Sequence, residues 1–234
     1  MNKPIFSAEY FSGRLDAMSD QDILYKTVGC PGFVDDSQIK QKVLSLPSGS
    51  AVGYALNNDI YDQLSDEMTI EAFFYYSDVQ TKIPNMIFGN NSDLGGFCLY
   101  ETGIGESFGG MVFSVCTCSA NVSARALKKE CLYLRDKWHH VIGVFQKGTV
   151  SLYHNGSLEG TSVGNGDVIG EIMHPSPPNQ ILFVGGNVKN SELNLDTDSN
   201  VKFGFFRIYN MAFSSEQVKK NYELSRAYEY QEET

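Results

Sequence analysis

Between Met68 and Tyr76, Met68, Ile70, Ala72, Phe74 and Tyr76 fall on one face of an extended chain, and Thr69, Glu71, Phe73 and Tyr75 on the other. This period of two excludes an amphipathic helix, whose apolar positions recur every three to four residues, and predicts a strand. Shorter apolar runs bounded by turn residues predict further strands over Lys42–Leu46, Ile87–Gly89, Gly96–Glu101, Met111–Cys118, Ile181–Gly185 and Phe203–Tyr209. The run Trp138–Gln146 is apolar or aromatic on both faces, the pattern of a central strand covered on both sides. Thr149–His154 and Ser157–Val163 flank Asn155-Gly156. Asn-Gly is the strongest local hairpin signal, because a type I′ turn needs positive φ at both central residues. Near the end the pattern changes. Ser214 and Gln217 form a capping box, with Phe213 and Val218 placed as a hydrophobic staple, so a short helix starts at about Ser215 and reaches Tyr222 or beyond. Residues 1–65 read as short strands and loops, with Arg14–Asp22 turn-like and Asn57–Asp66 a loop or helical turn. Many short strands with regular turns mean a sandwich or a barrel.

The order of these pieces resembles a known family. Trp138-His139-His140-Val141, then Leu152-Tyr153-His154-Asn155-Gly156, resembles the W-H-H-V strand and L-Y-x-N-G hairpin of concanavalin A-like, laminin G-like domains. Thr69-Ile70-Glu71-Ala72 resembles their earlier T-I-E-A strand, and Phe206-Arg207-Ile208-Tyr209 their closing strand. The opening Phe6-Ser7-Ala8 is similar to modules attached to bacterial calcineurin-like metallophosphoesterases. The resemblance implies an all-β fold, a two-sheet antiparallel jelly-roll sandwich with a short C-terminal helix, spanning 1–234 as one domain with its core at 69–222. It leaves function open, because one fold hosts lectins, adhesion domains and glycosidases. Some relatives hold a structural calcium with acidic residues just before the closing strand. Here those positions are Gly204 and Phe205.

Composition narrows the partners. The net charge of −10 repels phosphate backbones, so no nucleic acid is expected, and an anionic membrane surface is disfavoured for the same reason. No apolar run approaches the ~20 residues of a membrane span, so no membrane insertion is expected. Met1–Tyr10 carries one lysine and no long apolar segment, so no signal peptide is expected. That leaves an intracellular location for a complete chain, or an extracellular or cell-surface one for a module of a longer secreted protein. The five cysteines, Cys30, Cys98, Cys116, Cys118 and Cys131, are odd in number, so at least one is unpaired within the chain. Cys116 and Cys118 lie roughly 6.5–7 Å apart along one strand face, too far to bridge, and read as small buried apolar residues.

The chemistry of an enzyme is hard to find. Glycoside hydrolysis needs two carboxylates roughly 5–9.5 Å apart. Asp66, Glu67 and Glu71 come nearest, and Asp66 and Glu71 have opposite strand parity. No G-x-S-x-G elbow is present. His139 and His140 point to opposite faces of one strand, so they cannot chelate one metal together, and a packing and hydrogen-bonding role is expected. His154, beside the hairpin turn, reads as exposed. Calcium is the candidate cofactor, in a structural role, with Asp196, Asp198 and Asn200 as oxygen ligands. Weaker acidic clusters are Asp16, Asp20 and Asp22, and Asp35 with Asp36. Sugars are held by aromatic faces and planar polar groups. The candidate ligand-binding residues are Tyr54, Tyr61, Asn90, Asn91, Asp93, Tyr100 and Glu106, with Phe108 beside them. Asn90, Asn121 and Asn155 also head N-x-S sequons. Three readings follow: a non-catalytic glycan-recognition module accessory to a larger or surface protein; a domain that binds a protein surface or serves structure alone; and a divergent glycoside hydrolase. The resemblance favours the first.

Overall fold

Alternation in the strands decides how the chain folds, because each strand must bury one face and antiparallel neighbours must match registers. The computed structural model describes residues 2–19, 23–56, 58–76, 85–90, 95–102, 110–117, 121–127, 136–163, 171–175, 180–189, 192–194 and 201–229. The first sheet runs β14 (Ser157–Val163), β13 (Thr149–His154), β12 (Lys137–Gln146), β7 (Glu67–Tyr76), β18 (Val201–Tyr209), β1 (Phe6–Glu9) and β2 (Ala17–Ser19). In the same sheet β5 (Gln41–Leu46) pairs with the early part of β18, and β4 (Gly32–Asp36) pairs with β5. The second sheet runs β11 (Asn121–Leu127), β10 (Gly110–Cys116), β9 (Phe97–Thr102), β8 (Asn85–Gly89), β15 (Ile181–Val184), β6 (Ala51–Ala55) and β3 (Tyr25–Val28). A separate ribbon joins β16 (Asn187–Lys189) to β17 (Glu192–Asn194). One short helix, α1 (Asn58–Tyr61), precedes β7, and a longer one, α2 (Ser215–Glu229), follows β18. The expected two-sheet antiparallel sandwich with a C-terminal helix is the architecture.

The main core lies between the sheets. Met68, Ile70, Ala72, Phe74 and Tyr76 of β7 meet Leu99, Phe113 and Val115 of the second sheet. The approach is closest where Gly143 of β12 faces Phe113, since a Cβ at Gly143 would sit 2.5 Å from that ring. The other face of the first sheet is buried too. Phe73, Tyr75, Trp138 and Phe205 form a second cluster with Ile39 and Val43, and Ile142, Val144, Tyr209, Phe213 and Val218 form a third. This double burial explains why β12 lacks a polar face.

Local signals read from sequence are realised. Asn155 and Gly156 take φ of 49° and 77°, as a type I′ turn requires. At the start of α2, the Ser214 amide donates to Gln217 Oε1 (2.8 Å) and the Gln217 amide donates to Ser214 Oγ (3.3 Å). Phe213 and Val218 share one apolar cluster. The helix continues to Glu229.

Three expectations need correction. The stretch 121–127, read only for its sequon, is the edge strand β11, and Arg14–Asp22, read as turn-like, contains β2. Edge strands are short and half-polar, which hides them in a sequence pattern. His154 is buried rather than exposed, because it sits with Val150 and Leu152 on the inward side of β13 and pairs with His139 at 2.9 Å between ring nitrogens. Cys30 is an exposed free thiol, Cys98 and Cys116 are buried, and Cys118 and Cys131 lie outside the described residues.

Candidate functional site

The motif residues of three strands meet on the outer face of the first sheet. Glu71 projects from β7, His140 from β12, and Arg207 and Tyr209 from β18. The register sets Glu71 opposite Arg207 and Ile142. His140 Nε2 donates to Glu71 Oε1 at 2.8 Å. Glu71 Oε2 accepts from Tyr209 Oη at 2.8 Å and from Arg207 Nη1 at 3.3 Å. Arg207 also makes a forked pair with Glu9 of β1, through Nε at 2.5 Å and Nη2 at 3.1 Å. Glu71 is buried, and burial alone would raise its pKa. The His140 bond, the charges of His140 and Arg207, and the Tyr209 hydroxyl outweigh burial and hold the carboxyl below the ordinary range. The Tyr209 phenol is pushed up, first by burial and then by the neighbouring Glu71 charge. Among the described residues, His140 Nδ1 has no hydrogen-bond partner. His140 itself packs against the rings of Phe205 and Tyr222. The T-I-E-A, W-H-H-V and F-R-I-Y segments thus share one polar clamp that ties β1, β7, β12 and β18 together. The expected packing and hydrogen-bonding role of the histidine pair is what this geometry shows.

Above this clamp lies a groove of about 500 Å³. Its floor is Glu71, Phe205, Arg207 and Tyr209, and its wall includes Gln217, Lys220, Asn221, Leu224 and Tyr228 from α2. The wall residues recur at helical spacing, and Phe205, Arg207 and Tyr209 alternate along β18, so a helix face and a strand face confront each other. The signal was in the sequence as periodicity. What it could not show was which sheet face α2 would cover.

An aromatic stack borders the groove. Phe73 stacks on Trp138 (centroids 4.7 Å) and on Phe205 (5.6 Å), and Tyr228 of α2 lies on Phe11 (4.6 Å). Gly204 belongs to this stack. A Cβ there would come within 2.7 Å of both Phe11 and Phe73, and β18 shifts register between Phe203 and Phe205 to accommodate it. The position at which the family resemblance suggested calcium-holding acids is therefore filled by rings, which offer no oxygen ligand to the ion. Beside it, Asp36 accepts from Lys202 Nζ at 2.7 Å and from Trp138 Nε1 at 3.3 Å. Burial works to raise the Asp36 pKa, but the Lys202 bond and charge and the Gln38 and Ile39 amides bring it below its ordinary value.

The sequence-derived candidates are not brought together here. Tyr54 and Tyr61 are wholly buried, and Asn90 with them. Tyr54 Oη donates to Tyr10 Oη at 3.0 Å, inside the main core. Asn90 donates through Nδ2 to Tyr61 Oη and accepts from the Phe97 amide, which pins the connection before β9. These three are structural, because the polar tips that suggested sugar contacts are spent on partners inside the protein. Burial also excludes Asn90 as a glycan acceptor. Tyr100 is half-buried on β9 of the second sheet, away from the groove. Asn91, Asp93, Glu106 and Phe108 lie outside the described residues, as do Asp196, Asp198 and Asn200. Among the described residues, no group of three or more His, Cys, Asp or Glu could hold a metal ion. No helix among them is long and apolar enough to cross a membrane.

Comparison with known proteins agrees with this fold. A family model for laminin G domains, described as the concanavalin A-like lectin/glucanases superfamily, matches residues 48–219. No curated protein sequence matches the chain. Among solved structures, the receptor-binding domain of a botulinum neurotoxin C/D mosaic serotype is similar, with TM-score 0.70 and 17% identity over 94% of this chain and 51% of that one. A botulinum neurotoxin type C structure, described with cell uptake dependent upon interaction with two ganglioside molecules, has TM-score 0.70 and 15% identity, over 94% of this chain and 51% of that one. The binding domain of botulinum neurotoxin DC in complex with rat synaptotagmin II has TM-score 0.71 and 13% identity, again over 94% and 51%. Identities this low establish a shared fold, and the chain spans about half the length of the structures it matches.

Proposed function

We propose, for a chain that belongs to the concanavalin A-like lectin/glucanase superfamily, that it is a non-catalytic binding module which recognises a glycan in the groove between α2 and the first sheet. The observation that carries this reading is the groove itself: an open concavity of about 500 Å³ that combines aromatic rings with planar amide and guanidinium groups. That combination suits a sugar ring, which offers an apolar face and a rim of hydroxyls. The similar toxin domains are described with gangliosides and in complex with rat synaptotagmin II, which supports a binding role for the fold without choosing between ligand classes.

Hydrolysis is a poorer account of the same groove. A glycosidase acid must hold its proton near neutral pH, which requires a raised pKa. Glu71 is lowered instead, and both its oxygens are occupied by His140, Arg207 and Tyr209.

Thermal melts across a panel of soluble oligosaccharides test the reading. A true ligand raises the midpoint by mass action, and Leu224→Trp, at a 41% exposed position in the groove wall, abolishes the shift without unfolding the protein. A wild-type midpoint that no glycan moves overturns it. A second reading, recognition of a protein surface, is favoured by one observation: Met18, Leu24 and Tyr25 are 65%, 78% and 45% exposed at or beside the edge strands β2 and β3. Protection of 17–28 from amide exchange by an added protein, with α2 unchanged, would support it.

A further inference from the structure

The groove has an uneven supply of hydrogen-bonding groups. Glu71 is its carboxylate, and both oxygens are spent on the clamp. Arg207 has five N–H groups, of which Nε, one on Nη1 and one on Nη2 are used, so two remain. Lys220 is exposed on the α2 wall and has no ion-pair partner among the described residues. Gln217 commits its oxygen to the helix cap and keeps its NH₂, while Ser225 spends its proton on the Tyr222 carbonyl. Asn2 and Asn221 also line the groove, each with two N–H donors and one acceptor oxygen, so the capacity among the described residues leans to donors, and two of the donors are cationic.

We infer that the groove accepts a glycan carrying a single carboxylate, seated against Lys220 and the free N–H groups of Arg207, with its neutral sugar rings along Phe205 and Leu224. This rests on the glycan reading above and adds the ligand's charge. Glu9 and Glu71 are both tied to Arg207, so its charge is largely compensated, and Lys220 is the further cation among the groove's described lining residues. The whole chain carries −10, a field that repels a polyanion. One acidic group among neutral sugars satisfies both conditions: it meets the local cation and carries little charge into the wider field. A densely sulfated or polyuronic chain meets only the first.

Calorimetric titration at low ionic strength with 3′-sialyllactose and with methyl glucuronoside, each beside its own methyl ester, isolates the carboxylate. A charge-assisted hydrogen bond implies that at least one acid binds tighter than its ester by roughly ten-fold or more. Lys220→Met, at an exposed helix position, removes that preference and leaves the melting midpoint of the unliganded protein unchanged. Equal binding of acid and ester overturns this inference and leaves the glycan reading standing. Preferential acid binding that Lys220→Met does not alter also overturns it, since the carboxylate then sits elsewhere. Absence of binding by both acids and both esters overturns the inference. Only if neutral oligosaccharides also leave the midpoint unmoved does the glycan reading fall with it.

Discussion

Glu71→Gln tests whether the clamp under α2 holds the sheet together. Glutamine keeps the shape of the side chain but replaces one acceptor oxygen with an NH₂ donor. Three donors now converge on Glu71: His140 Nε2, Tyr209 Oη and Arg207 Nη1. At least one of them faces another donor in the variant, and Arg207 loses one of its two compensating carboxylates. Breaking a buried ion pair from one side costs about 3–5 kcal/mol, and the retained oxygen places this change near the lower end. An unfolding entropy of about 2.1 cal/mol/K per residue makes 3 kcal/mol a midpoint loss of roughly 6 °C for a chain this long. Differential scanning calorimetry at neutral pH reads it directly. The acid limb provides a second readout. Glu71 has a folded pKa below its ordinary 4.5, so its contribution is fully present above about pH 4.5 and is lost as pH falls through the folded value. The variant has no such group, and the gap between it and wild type narrows on acidification. A neutral-pH midpoint within about 2 °C of wild type, or a gap that stays constant down to pH 3, would refute the clamp.

Other substitutions probe the surrounding structure. Tyr54→Phe removes the hydroxyl shared with Tyr10 and should cost about 1 kcal/mol in urea unfolding while leaving any glycan affinity unchanged, as a core position requires. Asn155→Ala forces alanine into a left-handed turn and deprives the His140 amide of its acceptor, for a loss of about 1–2 kcal/mol by the same assay. Ser214→Ala should cost about 1 kcal/mol and speed amide exchange at Gln217, whose N–H it leaves uncapped. Gly204→Asp drives a side chain into Phe11 and Phe73, and should cost at least about 2 kcal/mol with no recovery of the midpoint on adding calcium.

The strands, the hairpin and the helix cap were legible in the sequence because their causes are local. The alternation in β7 needs only neighbouring residues, as do the positive φ values at Asn155-Gly156 and the Ser214–Gln217 exchange of hydrogen bonds. The edge strands β2 and β11 were harder to read, since an edge strand carries little apolar signal of its own. Residue type misled most at the candidate site. Tyr54, Tyr61 and Asn90 have the chemistry of sugar contacts, yet each finds its polar partner inside the protein. Whether a tyrosine tip meets water or another hydroxyl depends on a residue such as Tyr10, 44 positions away.

The sequence by itself determined the class of fold, the hairpin and the helix, all of which follow from period and turn chemistry. Only the tertiary structure decided that Glu71, His140, Arg207 and Tyr209 form one clamp, and that α2 lies over it to leave a groove. Arg207 and Glu71 are 136 residues apart, and strand register rather than sequence spacing brings them together. Long-range pairing selects which polar groups are satisfied internally and which are left to line the groove beneath α2.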